Sequence, residues 1–231
     1  MQSLYGADWH FASAIGNAFH LPSTLTITQD NQPDIELDAK YTTKAFKDYP
    51  YWSTRVERWT NDNAWEFELL HHKVYLDNPT ADMSYFNMSD GYNFVFINRA
   101  KKKQNMIQRI GLGVIVIHPE SKIRGQVNTE TTLADGYEIG GPGVQVSIAK
   151  RKQIKDLLYL HYEGKVTVGY TTASVYEGKA KGFNIACHIN IGFSHVYPGK
   201  NGKFFDKVRF FSPISVPFVL DELFPKKISK V

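Results

Sequence analysis

The sequence predicts an all-β protein: an eight-stranded antiparallel up-and-down transmembrane β-barrel with a C-terminal periplasmic extension. Three observations predict it. Apolar and polar residues alternate with period two in segment after segment, and no stretch reads as a helix. The connections between segments alternate between long and short, as they do when antiparallel neighbours turn at opposite ends of a barrel with tight turns on one side and excursions on the other. The polar parity of the last segment, "NIACHINIGFSH" (184–195), is Asn184, Ala186, His188, Asn190, Gly192 and Ser194, without a single charge. A face turned to bulk water usually carries some.

The segments follow in order. "LYGADWHFASA" (4–14) is a weak first strand, with Tyr5, Ala7, Trp9 and Phe11 on one side. "YWSTRVERWT" (51–60) sets Trp52, Thr54 and Val56 against Ser53, Arg55 and Glu57; "AWEFELLHHKVYL" (64–76) sets Trp65, Phe67 and Leu69 against Glu66, Glu68, Leu70 and His72. "YNFVFINRA" (92–100) is less clean, with Tyr92, Phe94 and Phe96 opposite Asn93, Val95, Ile97 and Arg99. "RIGLGVIVIH" (109–118) separates Ile110, Leu112, Val114 and Val116 from Arg109, Gly111, Gly113 and Ile115. "VQVSIAK" (144–150) and "LLYLHYEGKVTVGY" (157–170) continue the pattern, the latter with Tyr159, His161, Glu163, Lys165, Thr167 and Gly169 on its polar side. The connections are long (15–49), short (61–63), long (77–90), short (101–105), long (119–136), short (151–155) and middling (171–181). Within the first long one, "STLTITQDNQPDIELDAKY" reads as an extra hairpin turned at "DNQPD".

In such a barrel the apolar parity faces lipid, and Trp52, Trp59, Trp65, Tyr75, Tyr92, Tyr170 and Phe193 fall where interfacial aromatic girdles belong. Period-two alternation alone also describes a soluble lipocalin-like lipid-binding barrel with the apolar parity turned inward. Eight strands leave an interior just wide enough to be filled by side chains. The expected lumen holds Arg55, Glu57, Glu66, Glu68, His72, Arg99, Arg109, His161, Glu163, Lys165, His188 and Asn190. Charges in that setting must pair, or their desolvation is prohibitive. A salt-bridged lumen that stiffens the barrel is therefore expected, and a wide pore is not.

Composition narrows the classes further. The chain has 231 residues, 42% hydrophobic and 14% aromatic, with a net charge of +4 from scattered basic residues, so nucleic acid is not an expected partner. One cysteine, Cys187, excludes an intramolecular disulfide and a CxxC metal site. The longest apolar run, "IGLGVIVI", is too short for a membrane helix. The start "MQSLYGADWH" lacks a charged n-region and an apolar h-region, which reads as a cytoplasmic protein or as a mature form whose signal has been removed. "GYEIGGPG" has no strand-to-helix context for a nucleotide.

The chemistry-bearing residues gather at the predicted outer rim. His118-Pro119-Glu120 closes the fifth segment there, Asp90 opens the fourth, and His72 approaches from the third. His72, Asp90, His118 and Glu120 are the candidate catalytic residues. A mixed His and carboxylate set suits non-haem iron or another divalent ion, though the sequence specifies no cofactor, and the same residues suit loop capping and headgroup hydration.

"NAWEFELLHHKVYL", "MSDGYNFVFINRA", "IGLGVIVIHPESKIRG", "GYEIGGPGVQV" and "HINIGFSH" resemble, in order and spacing, a family of small bacterial outer-membrane barrels over about residues 23–195. That family groups with OmpA-type eight-stranded barrels and includes proteins described as lipid A oxidases. The resemblance implies the outer membrane of a Gram-negative bacterium, contact with outer-membrane lipid and lipopolysaccharide, and an oxygen-dependent oxidation of the proximal glucosamine of lipid A. Residues 1–195 thus form the expected barrel and 196–231 a basic, aromatic, Pro-interrupted extension that either folds under the barrel or docks on a periplasmic protein partner. Two functions remain open: a structural or partner-platform barrel with a plugged lumen, and a lipid A-modifying enzyme with its site at the outer rim.

Overall fold

The computed structural model describes residues 8–47, 50–128 and 136–197. Thirteen strands follow in chain order: β1 (Asp8–Leu21), β2 (Ser23–Gln29), β3 (Ile35–Ala39), β4 (Tyr41–Thr42), β5 (Trp52–Thr60), β6 (Asn63–Leu76), β7 (Met83–Lys103), β8 (Met106–Ile117), β9 (Glu120–Ile123), β10 (Gln126–Asn128), β11 (Glu138–Lys155), β12 (Leu158–Val175) and β13 (Gly178–Tyr197). Eight of them, β1, β5, β6, β7, β8, β11, β12 and β13, pair antiparallel in a closed ring. The other five add height at one end.

At the turn end, Asn61-Asp62, Gln104-Asn105 and Asp156-Leu157 make two-residue connections. Asn61, Gln104 and Asp156 take positive φ there, as turns matched to strand twist require. At the opposite, loop end the strands run further than their alternation indicates. The segment 77–90, expected as a loop, is mostly β7, and the 171–181 connection shrinks to a turn at Tyr176-Glu177; at the turn end, 151–155, expected as a connection, is still β11. The expected hairpin turned at "DNQPD" forms as β2 and β3, and a second, β9 and β10, occupies the long connection 119–136. These additions lengthen the wall: β13 pairs with β1 over its turn-end half and with β2 from Gly178 to Gly182. β7 pairs with β8 below and with β9 above.

Side-chain direction decides between lipid and water as surroundings. Leu112, Ile139, Ile189 and Phe193 are 67%, 76%, 67% and 55% exposed, while Glu57, Glu68, His188 and Asn190, on the other parity, are buried. The apolar parity points outward, which is the reverse of a soluble lipid-binding barrel. On β13 this outward row runs from Phe183 to Phe193. Ten residue steps span about 33 Å along a strand, or roughly 25 Å at the tilt of a membrane barrel, the height of its apolar band.

One strand reads the other way from its sequence. Tyr92, Phe94 and Phe96 point into the lumen, where Phe94 and Phe96 stack with centroids 4.8 Å apart, and Val95 and Ile97 turn outward. Room for the rings comes from glycines on the inward parity of other strands. A Cβ on Gly143 would lie 2.5 Å from the Phe94 ring, and one on Gly113 would lie 2.7 Å from that of Phe96. Arg99 accordingly lies outside, its guanidinium 5.3 Å over Trp65 at the turn-end edge of the belt, where its charge reaches water. Of the expected girdle, Trp65, Tyr170 and Phe193 are exposed, whereas Trp59, Tyr75 and Tyr92 are buried. The 198–231 part of the C-terminal extension lies outside the described residues.

Candidate functional site

The lumen is filled in two layers. Towards the turn end, Arg55, Arg109, Arg151 and Lys165 meet Glu57, Glu66, Glu68 and Glu163, four cations against four carboxylates. Arg55 bridges Glu163 at 2.7 Å, Arg109 bridges Glu66 at 2.8 Å, and Lys165 pairs with Glu68 and Arg151 with Glu57. Neutral donors complete the carboxylates. Asn98 and Gln145 each donate to Glu68 at 2.8 Å, Ser147 to Glu163 at 2.6 Å and the Trp59 indole to Glu57 at 2.6 Å. Charge balance and near-complete hydrogen bonding are what make such burial tolerable. Alternation predicted seven of these eight charges. Arg151 was hidden because its segment reads as a turn, and Asn98 because the parity of β7 is inverted.

Towards the loop end the lumen turns apolar and aromatic, with Leu70, Tyr92, Phe94, Phe96, Ile115 and Ile117 among its buried members. His72 belongs to this layer. It stacks on Phe94 and His20 at 5.7 and 5.6 Å and meets Tyr92 and His188 edge-on at 5.0 and 5.2 Å. His188 itself is held between the Tyr51 hydroxyl at 3.1 Å and the Thr167 hydroxyl at 2.8 Å. His161 is buried in the charged layer.

The other three candidates converge. Tyr92 faces Ile117 and Asn87 faces Glu120, so β7 supplies residues 88–91 where the partner supplies only 118–119. That surplus arches out at Gly91, whose φ of +144° few L-residues adopt, and the His118 amide donates to the Gly91 carbonyl at 3.2 Å. The arch carries Asp90 to His118 and Glu120, and the ligand atoms of all three lie within 4.8 Å of one another. His118 is buried, with the Tyr137 ring 5.0 Å away, and the Tyr137 hydroxyl donates to the Asp90 carbonyl at 2.9 Å. Ile117 and Ser121 face the lumen, so His118 and Glu120 lie on the outward parity. His72 is thus separated from them by the wall of the barrel: its strand alternates it inward, and only the rim residues beyond the bulge share the outer face. Tyr137 had no sequence signal beyond its place at the start of β11.

No family model matches the chain, and no curated protein matches it. Solved structures do. The outer membrane protein AlkL in DMPC lipid bilayers matches with a TM-score of 0.51 at 9% identity over 87% of this chain and 95% of that one. OprG from Pseudomonas aeruginosa matches at 0.48 and 12% identity, over 84% and 97% of the two chains. Ail of Yersinia pestis matches at 0.40 and 6% identity, over 83% and 99%. The fold is that of the small outer-membrane β-barrels.

Proposed function

We propose that this protein is an outer-membrane barrel with a plugged lumen, structural in role and presenting its loop-end rim as a platform in the lipopolysaccharide-containing membrane. The observation that carries this reading is the doubly filled interior: a neutral, hydrogen-bonded ion-pair layer below an aromatic one. Buried, mutually paired charges and packed rings support a lumen closed to ions. The apolar belt supplies the contact with lipid, and the stiff wall holds β2, β3, β9 and β10 above it. Planar-bilayer recording of the refolded protein tests the reading, with no large steady conductance as the expected result. A stable porin-sized current would refute it.

A second reading draws on one specific observation, the meeting of Asp90, His118 and Glu120 on the outer face. Under it the protein modifies a lipid A sugar at the rim, with these three residues reaching the substrate and His72 excluded by its place in the lumen. Mass spectrometry of lipid A from aerobic, metal-supplied cells with and without the protein tests it; identical lipid A eliminates it.

A further inference from the structure

We propose that Asp90, His118 and Glu120 form a binding site for a first-row divalent cation on the outer face of the barrel, at the upper edge of the apolar belt. Three observations lead there. The first is the donor set: one imidazole and two carboxylates, with ligand atoms within 4.8 Å of one another. Ligands about 2.1 Å from a metal stand roughly 3.0 Å apart when adjacent and about 4.2 Å when opposite. The three groups therefore close on a cation by small rotations of Asp90 and Glu120, both only half-buried.

The second is charge. Among the described residues, no Lys or Arg makes an ion pair with Asp90 or Glu120, unlike each carboxylate of the lumen layer. Two carboxylates drawn together without a cationic side chain repel, and a divalent ion reverses the sign of that interaction.

The third is position. Ile139, 76% exposed on the outward parity of β11, pairs with Val116, and the site begins two residues further along each strand. The cluster sits just beyond the lipid-facing row, on the side of the wall that faces the surroundings. A cation there keeps coordination positions open outward, because the protein supplies only three donors. Imidazole with carboxylates suits Mn²⁺, Fe²⁺, Co²⁺ or Zn²⁺ better than Mg²⁺ or Ca²⁺, which prefer all-oxygen shells, and the absence of thiolate disfavours Cu(I).

Metal binding is read without any lipid substrate, so its outcome is separable from that of lipid A modification and from that of lumen conductance. Full-length protein folded in detergent is titrated with Mn²⁺ and followed by electron paramagnetic resonance. The expected result is one tightly held ion whose pulsed spectrum shows coupling to a single imidazole nitrogen. Asp90→Asn and Glu120→Gln should each weaken binding by at least about tenfold while heat-modifiable migration on gels reports intact folding. Glu36→Gln, on exposed β3, should bind as the wild type does. If a variant fails to fold, the imidazole coupling of the wild-type protein alone decides. Absence of that coupling, or undiminished binding in folded Asp90→Asn and Glu120→Gln, overturns the site.

Discussion

Replacing Glu163 by Gln tests whether the lumen layer is the desolvated, neutral network its geometry describes. Glu163 accepts from Arg55 at 2.7 Å, lies 3.5 Å from Arg109 and 3.9 Å from Lys165, and takes the Ser147 hydroxyl at 2.6 Å. At about 4 Å and an effective dielectric of ~20, one such attraction is worth about 4 kcal/mol. Repulsion from Glu66 and Glu68 and the recovered desolvation of Glu163 itself offset much of the sum. The net loss should fall near the roughly 3–5 kcal/mol typical of breaking a buried pair. Arg55→Met alone should cost a similar amount, because it leaves the carboxylates in excess. Made together, the two restore neutrality, so the double variant should be more stable than additivity predicts by about 2 kcal/mol. Urea unfolding of the four proteins in phospholipid vesicles, followed by tryptophan fluorescence, measures the cycle. A loss below about 1 kcal/mol for Glu163→Gln, with additive effects to within ~0.5 kcal/mol, would mean a hydrated lumen and refute the reasoning.

Leu112, 67% exposed near the middle of the belt, should cost about 2–4 kcal/mol when replaced by Arg in vesicle unfolding experiments, whereas a water-facing position would tolerate the change. Gly143→Ala drives a methyl into the Phe94 ring and should destabilise by about 1–3 kcal/mol, with Phe94→Leu in the same chain recovering part of the loss; an unchanged unfolding midpoint would mean that the ring does not pack there. His72 meets no hydrogen-bonding partner at either ring nitrogen among the described residues, so His72→Phe should be neutral or stabilising by up to ~2 kcal/mol, and a chain that no longer folds would show that the imidazole is needed.

Parity was legible wherever the two faces differ in polarity. The charge-free inner face of β13, the charged inner faces of β5, β6 and β12, and the outward rows of β8 and β11 all follow from alternation. It failed on β7 because the upper lumen is as apolar as lipid, and aromatic residues satisfy either environment. The compensating signal was present but distributed: Gly113, Gly143 and Gly169 sit on the inward parity of three other strands and make the space that Tyr92, Phe94 and Phe96 fill. Strand ends beyond the belt were illegible because pairing above the membrane needs no alternating lipid face. Asp90, His118 and Glu120 were recoverable from topology alone, since neighbouring strands bring their ends to one rim. That they face outward was not, because it depends on the bulge at Gly91, which alternation does not encode.

The handover along β13 bears on how the barrel assembles. Most neighbours in the ring are joined by local hairpins, but β1 and β2 both pair with β13, across well over a hundred residues. Loop-closure entropy opposes such a contact more than any hairpin, so sealing should come last and should engage β1 and β2 together. Until then β1 and β2 on one side and β13 on the other present unsatisfied edges. A chain truncated before Gly178 would keep its other hairpins but leave β1, β2 and β12 as three edges competent to capture strands from other chains, which makes β13 the element that keeps the protein a single, self-contained molecule.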